Sequence, residues 1–221
     1  MIIAQNLSPG IDCSSQFRAA YENRYCWSKD FKGYQGKCSW ENKKNKKLVE
    51  GSFSVQSDMK TKINHIDDPE INKAISSQLS EVVIHRVRRS FEETHGKNSF
   101  VSGEVDNVGM EVLVGGRNKG DKYRIKNNVI TMVHRHIHGS LIEIFTKEIF
   151  NTGNGYLSKI YTSQYLNPVS SEPLSAINLL RDDFVLLYKG GPWVLSSRVV
   201  DKESFQDNEA FKHIYRFYDF S

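Results

Sequence analysis

Cysteine is scarce, with three residues in 221, at positions 13, 26 and 38. They are too few and too clustered for a disulfide scaffold, and no Cys-x-x-Cys pair suggests zinc or thiol redox chemistry. A reducing compartment is the expectation. Long apolar runs are missing too: no window approaches the roughly 18 uninterrupted apolar residues of a membrane span. The first twelve residues, MIIAQNLSPGID, begin apolar but carry no basic start, no long apolar stretch and no small-residue cleavage site. No secretory signal is therefore expected, and the reading is a cytoplasmic protein. Enzyme signatures are largely absent. The glycine clusters lack the Lys-Ser/Thr ending of a phosphate loop, and there is neither a Gly-x-Ser-x-Gly elbow nor a His-Glu-x-x-His pair. Cys13, Cys26 and Cys38 have no local signature pairing any of them with a base. Carboxylate pairs such as Asp67-Asp68 and Asp182-Asp183 read as caps and turns at element edges. No catalytic residue, metal or cofactor is expected.

An excess of one charge is also lacking, since 30 basic residues stand against 26 acidic ones for a net charge of +4. Lysines 43, 44, 46 and 47 interleave with asparagine and not with aromatics, so a solvated hairpin loop explains them better than a nucleic-acid stacking platform. What is present is core material: 38% hydrophobic and 11% aromatic residues, enough for a packed interior. No Pro, Gly or Ser linker and no internal repeat divides the chain. One domain over residues 1–221 is expected, with residues 1–12 free to be disordered.

Periodicity then assigns elements. Asp12 or Ser14 can cap a helix whose apolar residues Phe17, Ala20, Tyr21 and Tyr25 recur at spacings of three and four, which predicts a helix over 14–25. Alternation before and after the lysine loop predicts two strands, and 61–66 a third. Asp68-Pro69-Glu70 is a helix start, with an aspartate cap, proline at the first position and an acid in the first turn. The stripe of Ile71, Ile75, Leu79 and Val82 is continued by Val83, Val87 and Phe91 only after rotating about the axis, so this is either a bent helix or two helices ending at Gly96. From Phe100 the pattern is β: 100–105, 109–114, 121–126, 129–138, 141–150, 155–166, 182–188, 193–200 and 211–220. Turn signals at Asp106-Asn107, Gly115-Gly116 with Gly120, Asn127-Asn128, Gly153-Asn154-Gly155 and Gly190-Gly191-Pro192 supply positive φ angles. The stretch from Asn167 to Ser175 reads as a surface loop. In the last strand Phe211, Tyr215 and Phe217 are expected on one face and Ile214, Tyr218 and Phe220 on the other. The fold class is α+β: a large curved antiparallel sheet, an open or partly closed barrel, with two or three helices on its concave face.

Two segments stand out as candidate ligand sites. His134, His136 and His138 share one strand face beside Ile130 and Met132. Alternate α carbons lie about 6.6 Å apart, so two neighbours can share a metal but three cannot readily do so. A third ligand would come from elsewhere, with His85 and Glu143 candidates by residue type alone. The bland reading is a half-exposed face satisfied by water and cross-strand partners; the intermediate one is the wall of a ligand cavity. The second segment, Ile84 to Glu93, holds Arg86, Arg88 and Arg89. Arg88 with Glu92 and Arg89 with Glu93 have i to i+4 spacing, a solvated face being the default and carboxylate or phosphate binding the sharper option. The candidate ligand-binding set is His134, His136, His138, Arg135, His85 and Arg86.

Four strings, Phe17-Arg18-Ala19-Ala20-Tyr21-Glu22-Asn23-Arg24-Tyr25, Ile84 to Glu92, Gly120-Asp121-Lys122-Tyr123-Arg124-Ile125 and Thr131 to Gly139, together resemble an uncharacterised family of cyanobacteria and plant plastids. This is a domain of unknown function, and the resemblance runs from about Phe17 to Val200. It implies a photosynthetic host and a cytoplasmic or stromal setting, and brings no catalytic residues. The element order is similar to the lipoprotein-carrier type, an unclosed barrel with helices over its concave side. The expected function is noncatalytic binding of a hydrophobic small molecule, a lipid or pigment. Two alternatives stand beside it: a pigment-handling lyase or chaperone using the histidine row, and a docking factor for a photosynthetic assembly, read by a protein partner through Arg86, Arg88 and Arg89.

Overall fold

The computed structural model describes residues 12–137, 139–206 and 208–221. Capping chemistry sets the helix starts. Asp12 accepts the Ser15 N–H ahead of α1 (Cys13–Glu22), and Asp68 accepts those of Glu70 and Ile71 ahead of α2 (Pro69–Ile84). Ser90 and Glu93 form a reciprocal capping box on α3 (Phe91–His95). The rotated stripe is thus two helices, separated by the irregular segment 85–90. The two i to i+4 pairs expected there do not form: Arg88 and Arg89 precede α3, Glu92 pairs with Arg18 of α1, and Glu93 is held by Ser90. The first helix ends at Glu22, short of the expected 25. Beyond it, Arg24 forms a bridge to Tyr156, and the Tyr25 N–H donates to the Tyr156 carbonyl.

The strands are β1 (Tyr34–Asn42), β2 (Lys47–Val55), β3 (Thr61–Asn64), β4 (Asn98–Val105), β5 (Met110–Gly116) and β6 (Lys122–Lys126), then β7 (Val129–Ile137), β8 (Ser140–Asn151), β9 (Tyr156–Leu166), β10 (Asn178–Leu186), β11 (Trp193–Lys202) and β12 (Phe211–Tyr218). They form one twelve-stranded sheet in the order β3-β2-β1-β12-β11-β10-β9-β8-β7-β6-β5-β4. Every strand pairing is antiparallel, and among the described residues no further strand joins β3 or β4, so the sheet is large and open. From β4 to β12 the chain meanders strand to neighbouring strand. The return of β12 beside β1 then joins that meander to the N-terminal hairpins. The lysine-rich stretch is the β1–β2 hairpin loop, where Asn42 and Asn45 accept N–H groups two residues on.

Three details differ from the pattern. β10 begins at Asn178 and not at 182, because Asn178 to Arg181 already pair with Ile160 to Ser163. At 106–109 the positive φ falls on Gly109, while the Asp106 side chain holds the turn by accepting the Val108 and Gly109 N–H groups. Phe220 packs with Phe53 and Tyr34 on the same side as Phe217, since Asp219, at φ 51°, turns the chain back.

All three helices lie on one face of the sheet, over two separate cores. One gathers α2 with β1–β3 and β9–β12, through Ile75, Leu79, Phe53, Phe217, Leu180 and Trp40 among others. The other gathers α1 and α3 with β5–β7, centred on Phe17, which meets the rings of Tyr123, Phe91, Phe100 and His95 at centroid separations of 4.6–5.9 Å. Two irregular segments cross between the cores. Residues 23–27 lead from α1 to Tyr25 and Trp27, and residues 85–90 lead back from α2 to α3; the Trp27 N–H donates to the Arg86 carbonyl at 2.8 Å.

A trough between two cores as the candidate functional site

Direct partners in an antiparallel ladder share a face, and successive residues alternate. Val133 belongs to the α1 core and pairs with Ile144, which packs on the α2 core. Arg135 pairs with Ile142, Ile142 with Tyr165, and Ile144 with Ser163. Arg135, Ile137, Ile142, Ile144, Ser163 and Tyr165 therefore form one floor across β7–β9, facing the helices. No helix seals that floor. The first helix rests on β4, β6 and β7 and the second mainly on β3, so Ile137 keeps 37% and Tyr165 46% of its surface exposed. We read the strip between the two cores as a trough with a largely apolar floor, its closed end set by the paired crossing segments where Tyr25 bonds to Tyr156.

His85 and Arg86 stand at that closed end. His85 is exposed to solvent, and protein atoms crowd around it. That enclosure, followed by the nearby charges of Arg86, Arg24, Arg198 and Arg135, pulls its pKa well below the usual histidine value. Arg86 lies over the Phe184 ring, 5.8 Å from its centroid. Desolvation brings its pKa down to about 10, opposed by the Asp182 charge, so it stays cationic near neutral pH. Its guanidinium has no hydrogen-bond or ion-pair partner among the described residues.

Beneath α2 lies a polar cluster that the alternation pattern left unnoticed. Arg198, 1% exposed, donates to both oxygens of Asp182 at 2.7 and 2.6 Å, to the Tyr161 hydroxyl at 2.6 Å and to the Gln78 side-chain oxygen at 3.0 Å. Glu81 approaches from α2 at 3.4 Å. Burial opposes the arginine's charge, but the Asp182 carboxylate outweighs it and holds the pKa well above the ordinary value. Asp182 is thus no edge or turn residue: it sits within β10, 2% exposed and opposite Arg198. Arg198 shares its strand parity with the buried Val200, so a charge at an inward position was the available signal.

The histidine row lies elsewhere. His134 pairs with Lys122 and Glu143 and is on the face turned away from the helices. Its Nδ1 meets a Glu143 oxygen at 3.2 Å, while His136 Nδ1 meets Asp121 at 3.2 Å. The rings stand 6.3 Å apart and nearly perpendicular. Asp121, 2% exposed, also accepts from the His136 N–H and from Arg135 Nε. His138 lies outside the described residues. Glu143, named as a partner by residue type, does meet His134, whereas His85 is on the opposite face. Among the described residues no three histidine, cysteine, aspartate or glutamate side chains converge as a metal site would require. An open depression of about 850 Å³ lies beside the crossing segments, lined by Tyr25, Cys26, Phe31, Arg88, Tyr188 and Pro192 among others. A smaller open depression of about 400 Å³ lies against the start of α2, lined by Asp67, Asn72 and Lys73 among others.

Residues 9–221 match a protein family described as "Protein of unknown function (DUF3386)". No curated protein matches the chain in sequence. Among solved structures, the "Crystal structure of LolA superfamily protein NE2245 from Nitrosomonas europaea" is similar at 9% identity and a TM-score of 0.37, over 96% of this chain and 94% of that one. At that level of overlap the likeness bears on neither ligand nor site. Among the described residues no helix is long and apolar enough to cross a membrane.

Proposed function

This chain belongs to the DUF3386 family of proteins of unknown function, and we propose that it is a noncatalytic binding protein for a hydrophobic small molecule, such as a lipid or pigment, held in the trough over β7–β9. One observation carries the reading. Ile137, Ile142, Ile144 and Tyr165 line up on the helix-bearing face between two packed cores, yet none of them is fully buried. Apolar surface left accessible in a concavity is worth about 25 cal/mol per Å² to whatever covers it. His85, Arg86 and Arg135 supply the polar contacts of the site. His134 and His136, engaged with Glu143 and Asp121 on the other face, are outside it.

Titration with the neutral dye Nile red tests this. Wild-type protein should bind it with a fluorescence rise, Ile142→Glu should weaken binding at least about tenfold because a carboxylate on the floor is costly to desolvate, and Leu113→Glu on the opposite face should bind as wild type does. Absence of binding, or equal losses in the two variants, would overturn the reading.

A further inference from the structure

The arginines around the closed end of the trough are unequally engaged. Asp182 and Glu81 are both committed to Arg198, and Asp121 to Arg135. Arg24 stacks on the Tyr21 ring at 3.8 Å and donates from Nε to the Tyr21 carbonyl, with no carboxylate partner among the described residues. Arg86 has neither. Arg24 and Arg86 lie on the two crossing segments, which are joined where the Trp27 N–H donates to the Arg86 carbonyl at 2.8 Å and where Arg24 and Tyr25 meet Tyr156. Arg135 lies on the same floor as Ile137 and Ile142 and adds a further cationic group to the trough.

An enclosed guanidinium without a counter-ion is unfavourable in the empty protein and becomes favourable when an anion arrives, because arginine grips carboxylate or phosphate through two parallel N–H donors. We infer that the closed end of the trough is an anion site, in which Arg86, with Arg24 nearby, binds the carboxylate or phosphate head of an amphipathic molecule whose apolar part lies along the β7–β9 floor. The inference rests on the trough being the binding site. Asp182, Glu81 and Asp121 are close enough to repel an anion, but each is already bonded to Arg198 or Arg135, leaving the unpaired arginines to set the sign of the local field.

Displacement of bound Nile red at pH 8 by dodecanoate, by dodecan-1-ol and by acetate separates the possibilities. Dodecanoate should act at about tenfold to a hundredfold lower concentration than the alcohol, the range expected for a charge-assisted hydrogen-bonded pair. Acetate should displace nothing at those concentrations. Arg86→Gln should bring acid and alcohol within about threefold of each other while the alcohol's own potency is kept, and Arg86→Lys should retain part of the preference. Equal potency of acid and alcohol on the wild type overturns the anion site and leaves the apolar trough standing. Displacement by acetate as effective as by dodecanoate overturns the amphipathic ligand class. A wild type that binds no Nile red overturns both readings together. If Arg86→Gln loses its folded circular dichroism, the wild-type ratio and Arg86→Lys decide.

Discussion

At the scale of residues, His95 shows how burial becomes a pH dependence. It is 5% exposed, surrounded by the rings of Phe17, Tyr21, Phe91 and Phe100, with Nδ1 against the Asn98 amide at 3.2 Å. Burial, then the positive charge of Arg135, lowers its pKa from 6.5 to about 4. The unfolded chain takes up that proton near 6.5 and the folded chain does not, so the neutral ring's contribution is whole above 6.5 and is lost as pH falls toward 4. Urea unfolding should show stability falling across that window by about 1.4 kcal/mol per pH unit from this group; His95→Gln should remove that part of the slope, and an unchanged slope would refute the assignment. Of the candidate ligand-binding residues, Arg86 and His85 stand out in the sequence because a basic cluster interrupts an apolar helix stripe. Arg198 was not: a lone arginine among strand residues reads the same whether it meets water or a buried aspartate 16 positions away in sequence.

At the scale of elements, strand positions came through well because alternation and glycine turns are local signals, and the rotated stripe after Val82 marked a change of helix direction. Element ends were harder, being set by partners remote in sequence, as when Tyr156 draws residues 23–25 out of α1. Gly155 is part of that junction. At φ +123°, an added Cβ would come within 2.6 Å of the Asn23 carbonyl oxygen, whereas Gly153, at φ +84°, has nothing within 4 Å of its own. Gly155→Ala should therefore cost roughly 1–3 kcal/mol and loosen the crossing segment, with Gly153→Ala costing less because only the backbone conformation opposes it. Thermal or urea denaturation of the two variants checks the order, and equal losses would count against the contact.

At the scale of the molecule, two cores share one sheet, and their contacts with each other run through β7–β9 and the crossing segments. The sequence pattern indicated helices over an open sheet, but neither the strand order nor the division of the interior was readable, because both depend on which β edge β12 meets. Phe17 is fully buried at the centre of the smaller core, and Phe17→Ala should cost about 3–5 kcal/mol. Hydrogen exchange should show that loss first in β4–β7, while β1–β3 and β10–β12 keep their protection; uniform loosening would mean the interior behaves as one unit.

The seat of β12 has a consequence for the nascent chain. β1 needs a partner that lies about 175 positions further along, as the Glu41–Arg216 pair illustrates, so on the ribosome the first hairpins wait with an open, hydrogen-bonding flank while the meander from β4 onward accumulates beside its own open flank at β11. The last strand closes both at once, like a key sliding between two half-built walls, and until it emerges either wall can recruit a stray strand from another chain.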